Sequence, residues 1–400
     1  MKIKTEVKND LDQGFAAAFG RQPRRYFSAP GRTEIGGNHT DHQLGRVLAA
    51  AVELEILAAV DCNDSHQIRI QSQGYPLYSV DLRDLRPQPG EQNTTEALIR
   101  GVAAAFADRG CKLGGFDAYV TSAVLPGSGL SSSAALEVLL GTVCNGLFFD
   151  NALLPVEIAK IGQWAENVYF GKPCGLMDQM ASAVGGLVAI DFADPSAPEV
   201  RPVAFDFEAC GHRLCIIDTH ASHADLTQEY AAVPAEMKAV AAYFGQEVLS
   251  RVAPEDFYRE MAALRQRCGD RAVLRAIHYF EENSRVARQV SALEKGDFPG
   301  FLELVKESGR SSFMYLQNVT VSGSAAHQEV ALTLALCEKL LQGRGAFRVH
   351  GGGFAGTVQA FVPHDLAESF CRGVEEGLGQ GSCLWTNIRP YGGVELEVLP

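Results

Sequence analysis

The sequence predicts an α+β protein built from two domains or large lobes, and three observations carry that expectation. Four hundred residues exceed what a single hydrophobic core usually holds. Strand-like and helix-like segments follow one another without the steady βαβ alternation of a doubly wound parallel sheet. No internal repeat or low-complexity tract interrupts that mixed order. A boundary is expected near residues 200–213, with 1–205 as the first lobe and 206–400 as the second.

The elements follow in order. Residues 11–20 carry a helical pattern that stops at Gly20. Arg46–Val60 is rich in Val, Leu, Ile and Ala and predicts sheet, as does Gln67–Val80 around its Gly74-Tyr75-Pro76 turn. A helical pattern returns at about 91–108, and Phe116–Val124 reads as a strand. Ser132–Phe149 is apolar nearly all round, the mark of a buried helix. Pro155 opens another helix, with Ile158, Ile161, Ala165 and Val168 on one face and Gly171 at its close. Leu187–Asp191 and Leu214–Thr219 predict strands on either side of a Pro-containing connection, Asp194–Pro202. Residues from about 222 to 340 are mostly amphipathic helix. Arg344–Pro363 then reads as strand, glycine turn, strand, and Gly392–Val398 as a last strand.

Composition narrows the function. A net charge of −13 argues against nucleic acid or an anionic membrane as a partner. It leaves ATP open, because a few local donors and a metal outweigh the global sign. The ten cysteines are scattered singly, without a Cys-x-x-Cys, so neither a zinc site nor a thioredoxin motif is predicted. Their low density suits the reduced thiols of a cytoplasmic protein. Met1–Asp10 is charged and lacks an apolar core, so no signal peptide is predicted. The longest apolar run, Val47–Val60, carries Glu53 and Glu55 and cannot span a membrane.

Four stretches carry chemistry. In Pro126–Ala135, two glycines permit a tight turn and three serines follow where an apolar helix begins. Such a turn aims several backbone N–H groups at one spot, with the helix start adding partial positive charge. A phosphate chain fits there, and the serine hydroxyls reach its magnesium. No Gly-x-x-x-x-Gly-Lys-Ser/Thr occurs in the chain, so this is not the usual phosphate loop. Alone, a Gly/Ser-rich turn is more often only a turn. Ala29–His42 packs one Arg, one Asn, two His and one Asp into a glycine-punctuated loop, suited to a small polar ligand such as a sugar. A solvated loop and a metal site at His39, Asp41 and His42 are the competing readings. In Glu166–Met180, Glu166 ends a helix and Asp178 enters the next one after a Gly/Pro loop. One carboxylate there can hold magnesium while the other accepts a proton, or both are ordinary helix acids. Val349–Thr357 matches Gly-x-Gly-x-x-Gly literally, yet a strand follows where the dinucleotide fingerprint needs a helix. A glycine hairpin lying close to a ligand accounts for it better.

Taken in order, these stretches resemble the motifs of the galactokinases, within the GHMP small-molecule kinase superfamily, over nearly the whole chain. Arg32–Asp41 is similar to that family's sugar loop, Pro126–Ala135 to its ATP loop, and His350–Gly356 to its glycine-rich third motif. The Glu166 segment, with Cys174-Gly175-x-Met177-Asp178-Gln179, resembles the one that carries its metal ligand and catalytic acid. The resemblance implies a two-lobed GHMP-kinase-like α+β fold with the active site in the cleft between lobes, using ATP and Mg2+. It implies that Asp178 takes the proton from the sugar's C1 hydroxyl. Arg32 then helps ionise that hydroxyl and stabilises the transferring phosphoryl group. Gly127, Ser128, Gly129, Leu130, Ser131, Ser132 and Ser133 would wrap the phosphates, with Glu166 and Ser133 (or Ser132) around magnesium. Asn38, His39, Thr40, Asp41, Gly175, Asp178 and Tyr230 fall on sugar-binding positions.

Two positions depart from the family pattern. Asn38 stands where most members have a Glu contacting the C6 hydroxyl, and Glu34 stands where Asn is usual. The stretch after Tyr230 also lacks the family's typical basic residues. These departures admit a 1-kinase of galacturonate, N-acetylgalactosamine or arabinose beside the galactose reading. A non-catalytic sugar sensor is a third reading, against which stands the presence of Ser133-Ala134 and of the expected base, arginine and metal ligand. The oligomeric state stays open, a monomer included.

Overall fold

The apolar runs build two sheets in the computed structural model, which describes residues 2–124, 129–172, 174–207, 209–222 and 226–398. The first sheet contains β1 (Arg25–Gly36), β2 (Arg46–Cys62), β3 (Gln67–Ser72), β4 (Leu77–Asp81), β5 (Phe116–Ser122), β6 (Leu187–Asp191) and β7 (Glu199–Pro202). The second contains β8 (His212–Asp218), β9 (Ala346–His350), β10 (Thr357–Pro363) and β11 (Cys383–Thr386), in the order β11-β8-β10-β9. The last strand, β12 (Val394–Leu396), returns to the first sheet beside β1. The long β2 is the hub of that sheet, antiparallel to β1, β5 and β6. The pair β3–β5 is parallel.

Helix α1 (Thr5–Phe19) covers one face of the first sheet, where Leu11 and Phe15 bury against Tyr26 and Ala59. The other face carries α2 (Thr95–Asp108), α3 (Ser132–Phe148), α4 (Pro155–Ala165) and α5 (Met177–Val184), around a core that includes Phe27, Val60 and Phe116. Tyr26 and Phe27 enter different cores because successive strand residues face opposite sides. The C-terminal half adds α6 (Thr227–Tyr243), α7 (Pro254–Arg259), α8 (Met261–Cys268), α9 (Asp270–Glu294) and α10 (Phe298–Ser311). Then come α11 (Glu329–Leu341) and α12 (Ala367–Leu378), which bury one face of the second sheet. A shared core joins the halves: Leu48 and Leu187 of the first sheet meet Val286, Phe301 and Phe361. Among the described residues no helix is long and apolar enough to cross a membrane.

The structure revises several expectations. Residues 25–36 form a strand, so Arg32, Thr33 and Glu34 sit on β1 and not in a loop. Their polarity disguised it: all three are buried against polar partners, and the register slips at Pro30–Arg32 and Glu34–Gly36 break the alternation. Val168, which the helical pattern sets on one face with Ile158, Ile161 and Ala165, is 47% exposed while those three are buried. After α4 the chain widens into a π-type turn, Glu166–Phe170, whose extra residue rotates Val168 outward. The connection Asp194–Pro202 ends in a short edge strand, β7, and β11 had no anticipated counterpart. The tail does not belong wholly to the second half. Besides β12, Ile388 bridges to Val52, and buried Arg389 donates to Ser28 Oγ at 2.7 Å and Glu55 Oε2 at 2.5 Å.

Candidate active site

Asp178 lies in the first turn of α5, and Arg32 reaches it from β1. The guanidinium engages both carboxylate oxygens, Nε to Oδ1 at 2.6 Å and Nη2 to Oδ2 at 3.0 Å. Its Nη1 donates to Gly129 O at 2.6 Å. The Ser131 hydroxyl donates to Asp178 Oδ2 at 2.5 Å. Burial pushes the Asp178 pKa up, but the Arg32 charge and the hydrogen bonds from Arg32 and Ser131 outweigh it. The result lies below the ordinary carboxylate value, so Asp178 is an anion at neutral pH.

The serine loop brings three expected nucleotide residues to this pair. Gly127 and Ser128 lie outside the described residues. Gly129 has φ +71°, and a Cβ there would fall 2.3 Å from Thr357 Oγ1, so only glycine fits. Leu130 is fully buried and its carbonyl accepts the Arg32 N–H at 3.1 Å, which makes it an anchor of the loop. Ser131 turns through the left-handed region (φ 57°, ψ 66°) into α3. Ser132 and Ser133 then open that helix and line a cleft of about 230 Å³ with Arg32, Asp178, Lys172 and Gly351–Gly353.

Ser133 Oγ stands 3.3 Å from Oε1 of Glu166, which the π-type turn leaves 2% exposed. Lys172 Nζ is 3.4 Å from the same oxygen. A hydroxyl and a carboxylate oxygen so placed are hard donors that suit magnesium, which typically takes one or two protein oxygens and fills its shell with phosphate and water. Among the described residues no group of three or more His, Cys, Asp or Glu could hold a metal ion. The metal reading of His39, Asp41 and His42 therefore finds no support in their arrangement.

Around the sugar loop, the first and third motifs are pinned together. His39 (φ 58°) places Nε2 3.0 Å from Gly352 O. Tyr230 donates its hydroxyl to Gly353 O at 2.8 Å and sets its ring edge-on to Phe354. The Asp41 carboxylate packs on Gly175, where a Cβ would lie 2.2 Å from Oδ2. Burial, partly opposed by the His42 backbone N–H, pushes the Asp41 pKa up to about 6.

Two expected sugar contacts are instead engaged by the protein. Thr40 is fully buried, its hydroxyl 2.8 Å from Gly37 O and 2.6 Å from Arg46 O, tying the loop to itself. Asn38 spends both amide hydrogens, on Glu34 Oε1 at 3.0 Å and Gly351 O at 2.6 Å. Its Oδ1 accepts from Asn318 at 2.8 Å and Ser312 at 3.3 Å. The two unusual residues, Glu34 and Asn38, thus bond each other, and fully buried Arg348 balances Glu34 at 2.6 Å.

Several side chains of the site had no assigned role in the sequence reading. His350 accepts the Glu34 N–H at Nε2 (3.2 Å) and sets Nδ1 2.9 Å from Thr357 Oγ1. Burial, helped by the charges of Arg32 and Arg348, lowers its pKa well below the ordinary value, so the ring is neutral. Lys172, a lone cation between Gly171 and Pro173, was visible as a residue type but not as a cleft wall. Arg348 precedes the third motif by two positions and carries no local signal at all.

Comparison with known proteins adds to this geometry. Residues 13–62 match the galactokinase galactose-binding signature, and residues 97–186 match the GHMP kinases N terminal domain. A galactokinase of Streptomyces coelicolor is 32% identical over 375 residues, 92% of either chain. One from Glaesserella parasuis is 31% identical over 368 residues, 90% of this chain and 91% of that one. The solved structure of Lactococcus lactis galactokinase complexed with galactose superposes with a TM-score of 0.82 at 26% identity, covering 98% of this chain and 100% of that one. A mevalonate kinase aligns with a TM-score of 0.64 at 14% identity over 92% of this chain and 99% of its own, a likeness of fold alone.

Proposed function

The chain belongs to the galactokinase family of GHMP kinases, and from that premise we propose that it transfers the γ-phosphoryl group of ATP to the C1 hydroxyl of galactose. The product is α-galactose 1-phosphate. The observation that carries this reading is the Arg32–Asp178–Ser131 cluster, set at the wall of a cleft between the α3 N-terminus and the glycine turn after β9.

Asp178, an anion with a depressed pKa, is a weak base toward a free sugar hydroxyl. It needs help, and two features supply it. The buried Arg32 guanidinium favours the developing alkoxide, and the proton passes to Asp178 as phosphoryl transfer makes the hydroxyl acidic. The α3 N-terminus, with Ser132 and Ser133, receives the phosphates through backbone N–H groups and the helix dipole. Ser133 and Glu166 would hold magnesium, which neutralises charge on phosphate oxygens when bound. His39, Asp41, Gly175 and Tyr230 are the proposed sugar-binding residues. Asn38 supports them from behind, through Gly351 and Glu34.

The test is incubation with MgATP and a panel of galactose, galacturonate, N-acetylgalactosamine and arabinose, following ADP release and identifying products by phosphorus NMR. Galactose is expected to turn over with the highest kcat/KM and to yield the α-1-phosphate. A different sugar turning over faster would overturn the substrate, and sugar binding without ADP release would overturn the reaction.

A further inference from the structure

Behind Ser133 and Glu166 lies a second buried carboxylate, Glu137. Glu137 is on α3 one turn beyond Ser133, so the two share a helix face. Gln179 follows Asp178 on α5. Glu137, Gln179 and Glu166 are all buried, at 0%, 0% and 2% exposure. The Gln179 amide nitrogen lies 2.9 Å from Glu137 Oε2 and 2.9 Å from Glu166 Oε2. Each of its two N–H bonds is thus committed to one carboxylate. The other Glu166 oxygen, Oε1, is left toward Ser133. Gly162 of α4 makes room for the arrangement, since a Cβ there would come within 3.0 Å of Glu137 Oε2 and 3.2 Å of Gln179 Cγ.

This cluster is costly. Glu137 Oε1 and Gln179 Oε1 are buried without a hydrogen-bond partner among the described residues. Apolar side chains of similar volume would avoid that penalty and pack as well. Burial and the facing charge of Glu166 raise the Glu137 pKa well above the ordinary carboxylate value. A neutral acid can stand beside Glu166 without repelling it.

We infer that Glu137 is a positioning residue: by occupying one N–H of Gln179 it makes the other hold Glu166 with Oε1 turned to Ser133 and the cleft. The inference rests on the reading of Ser133 and Glu166 as the magnesium-holding pair. Because Gln179 adjoins Asp178, the same amide also sets the metal side of the site relative to the base.

The experiment uses the full chain with manganese(II) and a non-hydrolysable ATP analogue, reading bound Mn2+ by electron paramagnetic resonance and metal-free stability by thermal melting. Glu137→Leu and Gln179→Leu should each weaken Mn2+ binding by about tenfold or more, as loss of an outer-sphere partner does. Glu137→Gln keeps an acceptor oxygen and should bind Mn2+ as the unmodified protein does. A Glu137→Leu protein that binds Mn2+ normally, at whatever melting temperature, overturns the inference. Should that variant fail to fold, Gln179→Leu decides by the same criterion. Glu166→Gln separates the two levels of the argument. If it leaves Mn2+ binding unchanged, the metal-pair reading falls and the inference with it. If it abolishes binding while Glu137→Leu does not, only the positioning role falls.

Discussion

Asp178 receives two hydrogen bonds from Arg32 and one from Ser131, an arrangement that favours its anion and fixes its direction. Replacing it by Asn removes the proposed acceptor for the sugar proton and leaves Arg32 buried without its bidentate counter-charge. Asp178→Asn is expected to lower kcat by about 10²–10⁴-fold, which steady-state ADP release would measure. The other carboxylate of the sugar loop behaves differently. Burial pushes Asp41 up to about 6, so it gains a proton as pH falls through that value and ceases to be a pure acceptor. With ATP saturating, kcat/KM for the sugar should fall below about pH 6, while Asp178, whose pKa is lowered, stays ionised. In Asp41→Asn that acidic limb should vanish along with most of the sugar affinity. A limb that persists in the variant would assign the titration elsewhere.

At the scale of elements, the sugar loop is held from outside by α9. Glu282 accepts the Gly37 N–H at 3.0 Å and the Ser308 hydroxyl at 2.7 Å, and it pairs with Arg285. Burial acts to raise its pKa, but the charges of Arg285, His278 and Arg348 bring it down to about 2. A depressed folded-state value means stability that is present above the unfolded value near 4.5 and lost as pH falls toward 2. Its size is on the order of 3 kcal/mol. Glu282→Gln should therefore lose on the order of 3 kcal/mol in urea unfolding at neutral pH, and the deficit should shrink as pH is lowered from 4.5. A deficit that stays constant with pH would mean that packing, not charge, holds this helix to the loop. β1 shows why elements built around polar function mislead a pattern reading. Alternation identifies a strand only when one face is apolar, and Arg32, Thr33 and Glu34 are buried for their hydrogen bonds.

For the whole molecule, the chain closes on itself. The C-terminal tail crosses back to β1 and β2, where Arg389 places a buried charge on Glu55 and Ser28. Arg389→Ala would take away the counter-charge of Glu55, leaving it the Ser28 hydroxyl as donor, and would leave Ser28 without the Arg389 N–H that it accepts. A loss of about 3 kcal/mol is expected, consistent with breaking a largely buried pair. Unfolding should also become less cooperative between the halves, which hydrogen exchange of β1 and β2 would detect. Exchange that rises only at the last few residues would show the tail to be a separate appendage.

How much of this was legible depends on how local the cause is. The buried α3, the end of α1 at Gly20, the start of α4 at Pro155, and the glycine turn between β9 and β10 follow from residues adjacent in the chain, so their sequence patterns located them. The start of α1 at Thr5 and the end of α4 at Ala165 carry no such signal. The glycine- and serine-rich stretches were legible because tight turns and helix starts are likewise short-range backbone devices. The sequence by itself thus determined an α+β kinase-like chain and the stretches that carry its chemistry. Tertiary structure alone decided which members of those stretches converge. It put Arg32 on Asp178 across 146 positions and Asn318 on Asn38 across 280. It withdrew Thr40 and Asn38 into the wall, and it closed the first sheet with the tail. These outcomes depend on side-chain directions set by strand register, a π-type turn and long-range packing, and none of those leaves a mark at a fixed spacing in the sequence.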